Sequence, residues 1–177
     1  MKLYRTTIDG FTLIELVITV SIAAILFTIG MPSYQKMVMD KRMATTRETL
    51  ITDLEIAKSE AMTRNQSVIL CRHSGETATP TACDNTAEWE NGWVVFVDTN
   101  GDSNVDANEL LRVTAGLGAG LNIDYSKTSI AFSSRGFTGT TNGTFRICDG
   151  RGYQHGHKLI LSTSGFIQTE NATDCPS

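Results

Sequence analysis

The sequence predicts an α+β fold, a long N-terminal helix packed on an antiparallel β-sheet domain. Two observations carry this expectation. Residues 11–31 form a run of 21 in which Glu15 is the only charge. As a helix such a run rises about 30 Å, the thickness of a bilayer core. Beyond Asn65-Gln66 the hydrophobic period changes, and short apolar segments alternate with Gly- and Asn-rich turns.

The first ten residues carry Lys2 and Arg5. A secretory signal has a shorter apolar core followed by a small-residue cleavage site. Here the apolar run is too long for that, and the small residue, Gly10, precedes it. Glu15 stands out, because a carboxylate near the end of a membrane helix is costly unless it is paired, protonated or in reach of water. It either reaches the headgroup layer or meets a positive charge at its own depth. Cleavage after Gly10 would create such a charge, the amino group of Phe11, in the same chain or in a neighbour.

Pro32 lacks an amide hydrogen and bends a helix without ending it. The helical pattern resumes at once: Met39, Met43, Leu50, Leu54, Ala57 and Ala61 share one stripe, with Lys41, Arg42, Glu48, Glu55 and Lys58 mostly off it. One helix is therefore expected from Phe11 to about Arg64, spanning a membrane in its first half and amphipathic in its second. Strands are expected at residues 67–72, 93–97, 110–113, 129–132, 144–148, 158–162 and 165–169, with loops at 74–90 and 114–127. The chain divides into an N-terminal segment 1–10, a membrane segment 11–31, an amphipathic helical continuation 32–65 and a β-rich domain 66–177.

The 177 residues carry a formal charge of −4. Without residues 1–10 there remain 13 basic and 18 acidic side chains, a balance unsuited to general nucleic-acid binding. Four cysteines, Cys71, Cys83, Cys148 and Cys175, lie beyond the membrane run, and no pair has zinc-site spacing. An even number in an exported domain reads as two disulfides. Of the three pairings we favour Cys71–Cys83, which closes a short loop, and Cys148–Cys175, which ties down a polar tail.

Gly10-Phe11-Thr12-Leu13-Ile14-Glu15-Leu16, with Pro32-Ser33-Tyr34 following at the expected distance, resembles the processing motif of type IV pilins and type II secretion pseudopilins. The resemblance implies the type IV pilin fold and cleavage between Gly10 and Phe11 by a prepilin peptidase, which makes residues 1–10 a leader. It further implies N-methylation of Phe11 and a role for Glu15 in docking the subunit into a filament. Asp9 stands where the family often has a basic residue. Residues 56–68 and Gly92-Trp93-Val94-Val95-Phe96-Val97-Asp98 are similar to the H-type pseudopilin and FimT group, over roughly residues 10–113. The group implies a minor type IV pilin that primes or caps a pilus filament. The alternatives it leaves are an H-type minor pseudopilin of a type II secretion system and a pilus-associated DNA receptor. The expected partners are other pilins or pseudopilins, the peptidase and the inner membrane, with the C-terminal domain in the periplasm.

Some FimT-like proteins bind DNA through a Gly-Arg-x-Arg motif. The matching place here, Gly165-Phe166-Ile167-Gln168, has neither arginine, so DNA is not an expected partner. A loosely basic segment, Arg146, Arg151, His155, His157 and Lys158, reads as a solvated loop. No catalytic set is present: no supported Ser-His-Asp arrangement, no phosphate-binding Gly-rich loop and no positioned carboxylate pair. A structural, non-enzymatic subunit without a cofactor is expected.

One pattern points to a metal. Counting from Asp98, oxygen-bearing side chains fall at positions 1, 3, 5, 9 and 12 (Asp98, Asn100, Asp102, Asp106, Glu109), and Asn104 stands at the carbonyl position 7. That is the spacing of a calcium loop. Against it, Ser103 occupies the position of the usual Gly, the flanks read as strands, and Asp, Asn and Gly also favour plain turns.

Overall fold

The computed structural model of the protein describes residues 11–74, 82–106, 108–118 and 120–175. Gly10 and the rest of the leader lie outside the described residues. The chain forms two compact units, one ending at Met39 and one starting at Asp40.

A single helix, α1, is assigned from Leu13 to Arg64, with Pro32 inside it. Its residues up to 39 belong to the first unit. They are almost all exposed, including Leu13, Ile14, Leu26, Phe27 and Ile29. Three hydroxyls ahead of Pro32 do not face an apolar medium bare. Thr19 donates to the Leu16 carbonyl at 2.9 Å, Ser21 to that of Val17 at 2.7 Å and Thr28 to that of Ile25 at 2.8 Å. Such back-bonding satisfies each donor where water is absent.

In the second unit α1 buries Met43, Thr46, Leu50, Asp53, Leu54, Ala57 and Ala61. This is the expected stripe with two changes: Met39, in the first unit, is exposed, and two polar residues join the buried set. The helix ends in a Schellman-type turn. Asn65 takes a left-handed φ of 53° and the Gln66 amide donates to the Ala61 carbonyl at 3.2 Å.

Among the described residues eight antiparallel strands follow: β1 Ser67–Arg72, β2 Gly92–Asp98, β3 Leu110–Ala115, β4 Leu121–Asp124, β5 Ser129–Phe132, β6 Gly143–Asp149, β7 His157–Leu161 and β8 Ile167–Asn171. They form two four-stranded sheets, ordered β3-β2-β1-β5 and β4-β6-β7-β8, where the sequence suggested strands against one helix without resolving two sheets. One core joins α1 to both sheets: Leu50, Leu54 and Ala57 cluster with Val68, Leu70, Val95 and Phe132 of the first and Phe145, Ile147, Leu159 and Leu161 of the second.

Three expectations are corrected. Strand β4 lies inside the segment read as the loop 114–127. Only four residues long, it alternates Leu121 and Ile123 with Asn122 and Asp124, and its pairing with β6 supplies what local pattern lacks. A short 3-10 turn, Trp89–Asn91, closes the segment read as the loop 74–90. Strand β8 begins two residues later than expected, because Gly165 holds φ 70° in the turn and an added Cβ there would sit 2.2 Å from the Gly136 carbonyl oxygen.

The central strands of the first sheet, β1 and β2, are buried on both faces. Ile69, Cys71, Val94 and Phe96 face away from α1 and form a second cluster with Val105, which belongs to the β2–β3 loop, and with Cys83. An aromatic cluster closes the other end of the core. Tyr125 stacks on Phe145 with centroids 4.0 Å apart, and Trp89 meets both edge-on. Burial pushes the Tyr125 hydroxyl well above the usual phenol range, and it donates to the Thr141 carbonyl.

Candidate assembly site

Of the residues singled out for processing and assembly, Phe11 and Glu15 sit at the start of α1, Pro32 lies inside it, and Gly10 lies outside the described residues. Thr12 caps it: its Oγ1 accepts the Glu15 amide at 3.3 Å and its carbonyl accepts the Leu16 amide at 3.2 Å. Thr12-Leu13-Ile14-Glu15 is thus the Thr-x-x-Glu pattern of a capping box. This was a sequence signal that reading Glu15 only as an isolated charge passes over. A carboxylate in the first turn also complements the positive end of the helix dipole. Phe11 lies just ahead of the Thr12 cap, four residues before Glu15, and is 69% exposed. Further along, Ala23, Leu26, Phe27, Gly30, Met31 and Tyr34 line an open apolar strip, and Pro32 lies beside it. This is the one helix among the described residues long and apolar enough to cross a membrane.

The β-domain shows how the remaining sequence candidates are placed. Cys71 is bonded to Cys83 and Cys148 to Cys175, with Cα separations of 5.6 and 6.0 Å. Arg146 pairs with Asp124 at 2.9 Å and Asp174 at 3.0 Å, Lys158 with Asp174 at 2.7 Å, and Arg151 with Asp149 at 2.6 Å and Asp40 at 2.8 Å. The basic segment is therefore matched by carboxylates and presents no open cationic face from these three side chains. Burial opposes the Asp149 charge, yet its hydrogen bonds from Arg151 hold the carboxyl below the usual range.

Sequence reasoning missed Asp53. It is fully buried on the core face of α1. Its Oδ2 accepts the Trp93 indole N–H and the Thr114 hydroxyl, each at 2.7 Å, and its Oδ1 pairs with Arg112 Nε at 2.7 Å. The signal was a carboxylate between Leu50 and Leu54 on the apolar stripe, readable as buried only once three partners from β2 and β3 were placed against it.

The Asp98–Glu109 loop joins β2 to β3. Asp98 Oδ1 accepts the amides of Gly101 at 2.9 Å and Ser103 at 3.3 Å, and Asp102 Oδ1 accepts that of Asn104 at 2.8 Å. The Asn104 amide bond holds the Asp102 carboxyl below its ordinary range. The Asn100 side-chain amide donates to Asp102 at 3.0 Å and Asp106 at 3.3 Å. Glu109 is 3% exposed, and its Oε1 accepts the Thr99 amide at 2.9 Å. Among the described residues no group of three or more His, Cys, Asp or Glu side chains is already gathered around a metal-sized point.

The family model of the type II transport protein GspH matches residues 46–165. No curated protein sequence matches the chain. Among solved structures, the type IV minor pilin FimU of Pseudomonas aeruginosa strain PAO1 is similar at 23% identity with a TM-score of 0.57, covering 77% of this chain and 93% of that one. The minor pseudopilin EpsH from the type 2 secretion system of Vibrio cholerae is similar at 13% identity with a TM-score of 0.51, covering 73% of this chain and 97% of that one. At these identities the likeness shows the fold: a long N-terminal helix packed on antiparallel sheets.

Proposed function

Since this chain belongs to the type II transport protein GspH family, a family of structural rather than catalytic subunits, we propose that it is a minor pilin that primes or caps assembly of a type IV pilus filament. The observation that carries this reading is the exposed apolar start of α1 with Glu15 as its only charge. On the proposed route a prepilin peptidase in the inner membrane cuts between Gly10 and Phe11, the Phe11 amine is methylated, and the C-terminal domain lies in the periplasm. The two disulfides fit that oxidising compartment.

Glu15 gives the assembly step its selectivity. A lone charge at a membrane-helix centre costs about 2.5–3.5 kcal/mol on insertion scales, and less near an interface. A neighbouring subunit's Phe11 amine offsets this only when the two helices lie side by side at matched depth. The experiment combines two readouts. Mass spectrometry of membrane-extracted protein is expected to find a chain that starts at Phe11 and carries added methyl mass. Counting labelled subunit in sheared filaments is expected to show Glu15→Ala depleted and Glu15→Asp intermediate, with cleavage unchanged. An intact Met1 in cells with a working peptidase would remove the reading. Equal incorporation of Glu15→Ala and wild type would remove the docking role.

The description of the matching family favours a second reading, an H-type minor pseudopilin of a type II secretion system. Identification of the subunits that co-purify with the chain separates the two: pilus subunits support the first, secretion pseudopilins the second.

A further inference from the structure

We propose that the β2–β3 loop, Asp98 to Glu109, is a calcium site whose occupancy braces the back face of the first sheet. An acidic loop alone would not carry this. The independent observation is Glu109. It stands at position 12, where a calcium loop supplies a carboxylate with both oxygens, and only 3% of its surface is exposed. Its Oε1 is held by the amide of Thr99, which lies inside the loop between Asp98 and Asn100, while its Oε2 is buried with no hydrogen-bond partner among the described residues. The carboxylate is thus fixed against the loop's first turn with one oxygen still unsatisfied. A buried acceptor in that state is unfavourable, and a hard cation satisfies it.

The backbone answers the main objection from sequence. Position 6 of such a loop needs a sharp turn, normally made by Gly. Ser103, at that position, adopts φ 59°, the left-handed conformation that Gly would supply. The side chains that must swing inward, Asp102 and Asp106, are exposed, and their bonds are to neighbouring groups of the same loop. At present the Asn100 amide group stands between their carboxylates and donates to both. Asn100 Oδ1 meanwhile accepts the Asp102 amide at 3.0 Å, so turning the amide over to present Oδ1 to a cation exchanges that bond and the two donations for metal coordination. Four carboxylates, the Asn100 oxygen and the Asn104 carbonyl make a set of hard oxygens suited to calcium. Magnesium is smaller, demands an octahedron and gives up its waters reluctantly. The loop is also coupled to the core, because Val105, 3% exposed, packs on Ile69, Cys71, Val94 and Phe96.

The test uses the detergent-solubilised full chain, with calcium alone as the probe and no need of filaments or partners, so it stands or falls apart from the pilin reading. Calorimetric titration is expected to show one site with a dissociation constant of about 10⁻⁴–10⁻³ M, the range of extracellular calcium modules. Calcium at 100 times that constant shifts the folded-to-unfolded ratio about 100-fold. The melting temperature therefore rises in calcium chloride relative to EDTA, and much less in magnesium chloride. Asp102→Asn and Asp106→Asn, both at exposed positions, are expected to melt like wild type in EDTA and to weaken calcium binding by about tenfold each, since affinity follows the count of charged ligands. Ser103→Gly is expected to bind at least as tightly as wild type. No binding heat and no melting shift at about 10 mM calcium, well above that range, would overturn the proposal. A shift that survives the Asp102/Asp106 double substitution would overturn it as well, by placing the ion elsewhere.

Discussion

Asp53 on α1 and Trp93 on β2 are joined by a 2.7 Å hydrogen bond from the indole N–H to the carboxylate, with both residues fully buried. Arg112, 44% exposed, supplies the countercharge from β3. Removing one partner of a buried ion pair costs about 3–5 kcal/mol, because a charge is left uncompensated. Arg112→Met is therefore expected to destabilise the domain by about 3 kcal/mol despite the exposure of Arg112, since it strands the carboxylate. Asp53→Asn, which keeps an acceptor for Trp93, should cost less than Asp53→Ala. Urea unfolding of the four proteins checks the order, and a neutral Arg112→Met would show that the carboxylate needs no countercharge.

The two disulfides close loops of 12 and 27 residues in sequence separation. Chain entropy alone then assigns about 3 kcal/mol to Cys71–Cys83 and about 3.6 kcal/mol to Cys148–Cys175. Paired Cys→Ala substitutions are expected to follow that order in denaturation midpoint. Loss of Cys148–Cys175 should also speed hydrogen exchange in residues 172–175 while leaving β1 and β2 protected. Protection of the tail in that variant would mean that the pairs from Arg146 and Lys158 to Asp174 hold it unaided.

His73 and His157 both have a pKa lowered by burial. Asp84 partly opposes the shift at His73, and Arg47 reinforces it at His157. Their folded-state values lie below the unfolded value of about 6.5, so protons favour the unfolded chain. Stability is complete above that unfolded pKa and falls as pH drops through it toward the folded values. The lowered carboxylates Asp84, Asp149 and Asp174 act in a separate window, below their ordinary value of 3.8. The urea midpoint is expected to fall between about pH 7.5 and 5.5, on either side of the free histidine value, and the His73→Gln/His157→Gln variant to lose most of that slope. A wild-type midpoint flat across this range would contradict the assignment.

The helix was readable because its period is local and long, and Leu50, Leu54, Ala57 and Ala61 announce a buried stripe without reference to anything else. The apolar run Trp93 to Val97 of β2 was equally plain. Strand β4 was not, since four residues carry too few alternations, and only the partners from Asn122 to Cys148 and from Ile123 to Ile147 make it a strand. The division into two sheets and the burial of Asp53 are likewise facts of long-range pairing. At the assembly site, Phe11, Glu15 and Pro32 were marked by motif, while the capping role of Thr12 is visible in the same four letters once the helix start is known. In the calcium-type loop the spacing was legible. The left-handed backbone at Ser103 and the half-satisfied Glu109 were not, because both depend on how β2 and β3 are joined.

The burial of β2 on both faces has a consequence for how uniquely the chain folds. Alternation normally polices strand alignment, since a shift by one residue turns the apolar set toward water. From Gly92 to Val97 every residue is buried, so such a shift would merely exchange Trp93, Val95 and Val97 for Val94 and Phe96, and water would raise no objection. What distinguishes the two alignments is polar. Only one of them delivers the indole N–H of Trp93 to Asp53, and the other leaves a sealed carboxylate without that donor. The buried acid thus acts as a key for which the strand has a single fitting position, supplying fidelity that greasiness alone lacks.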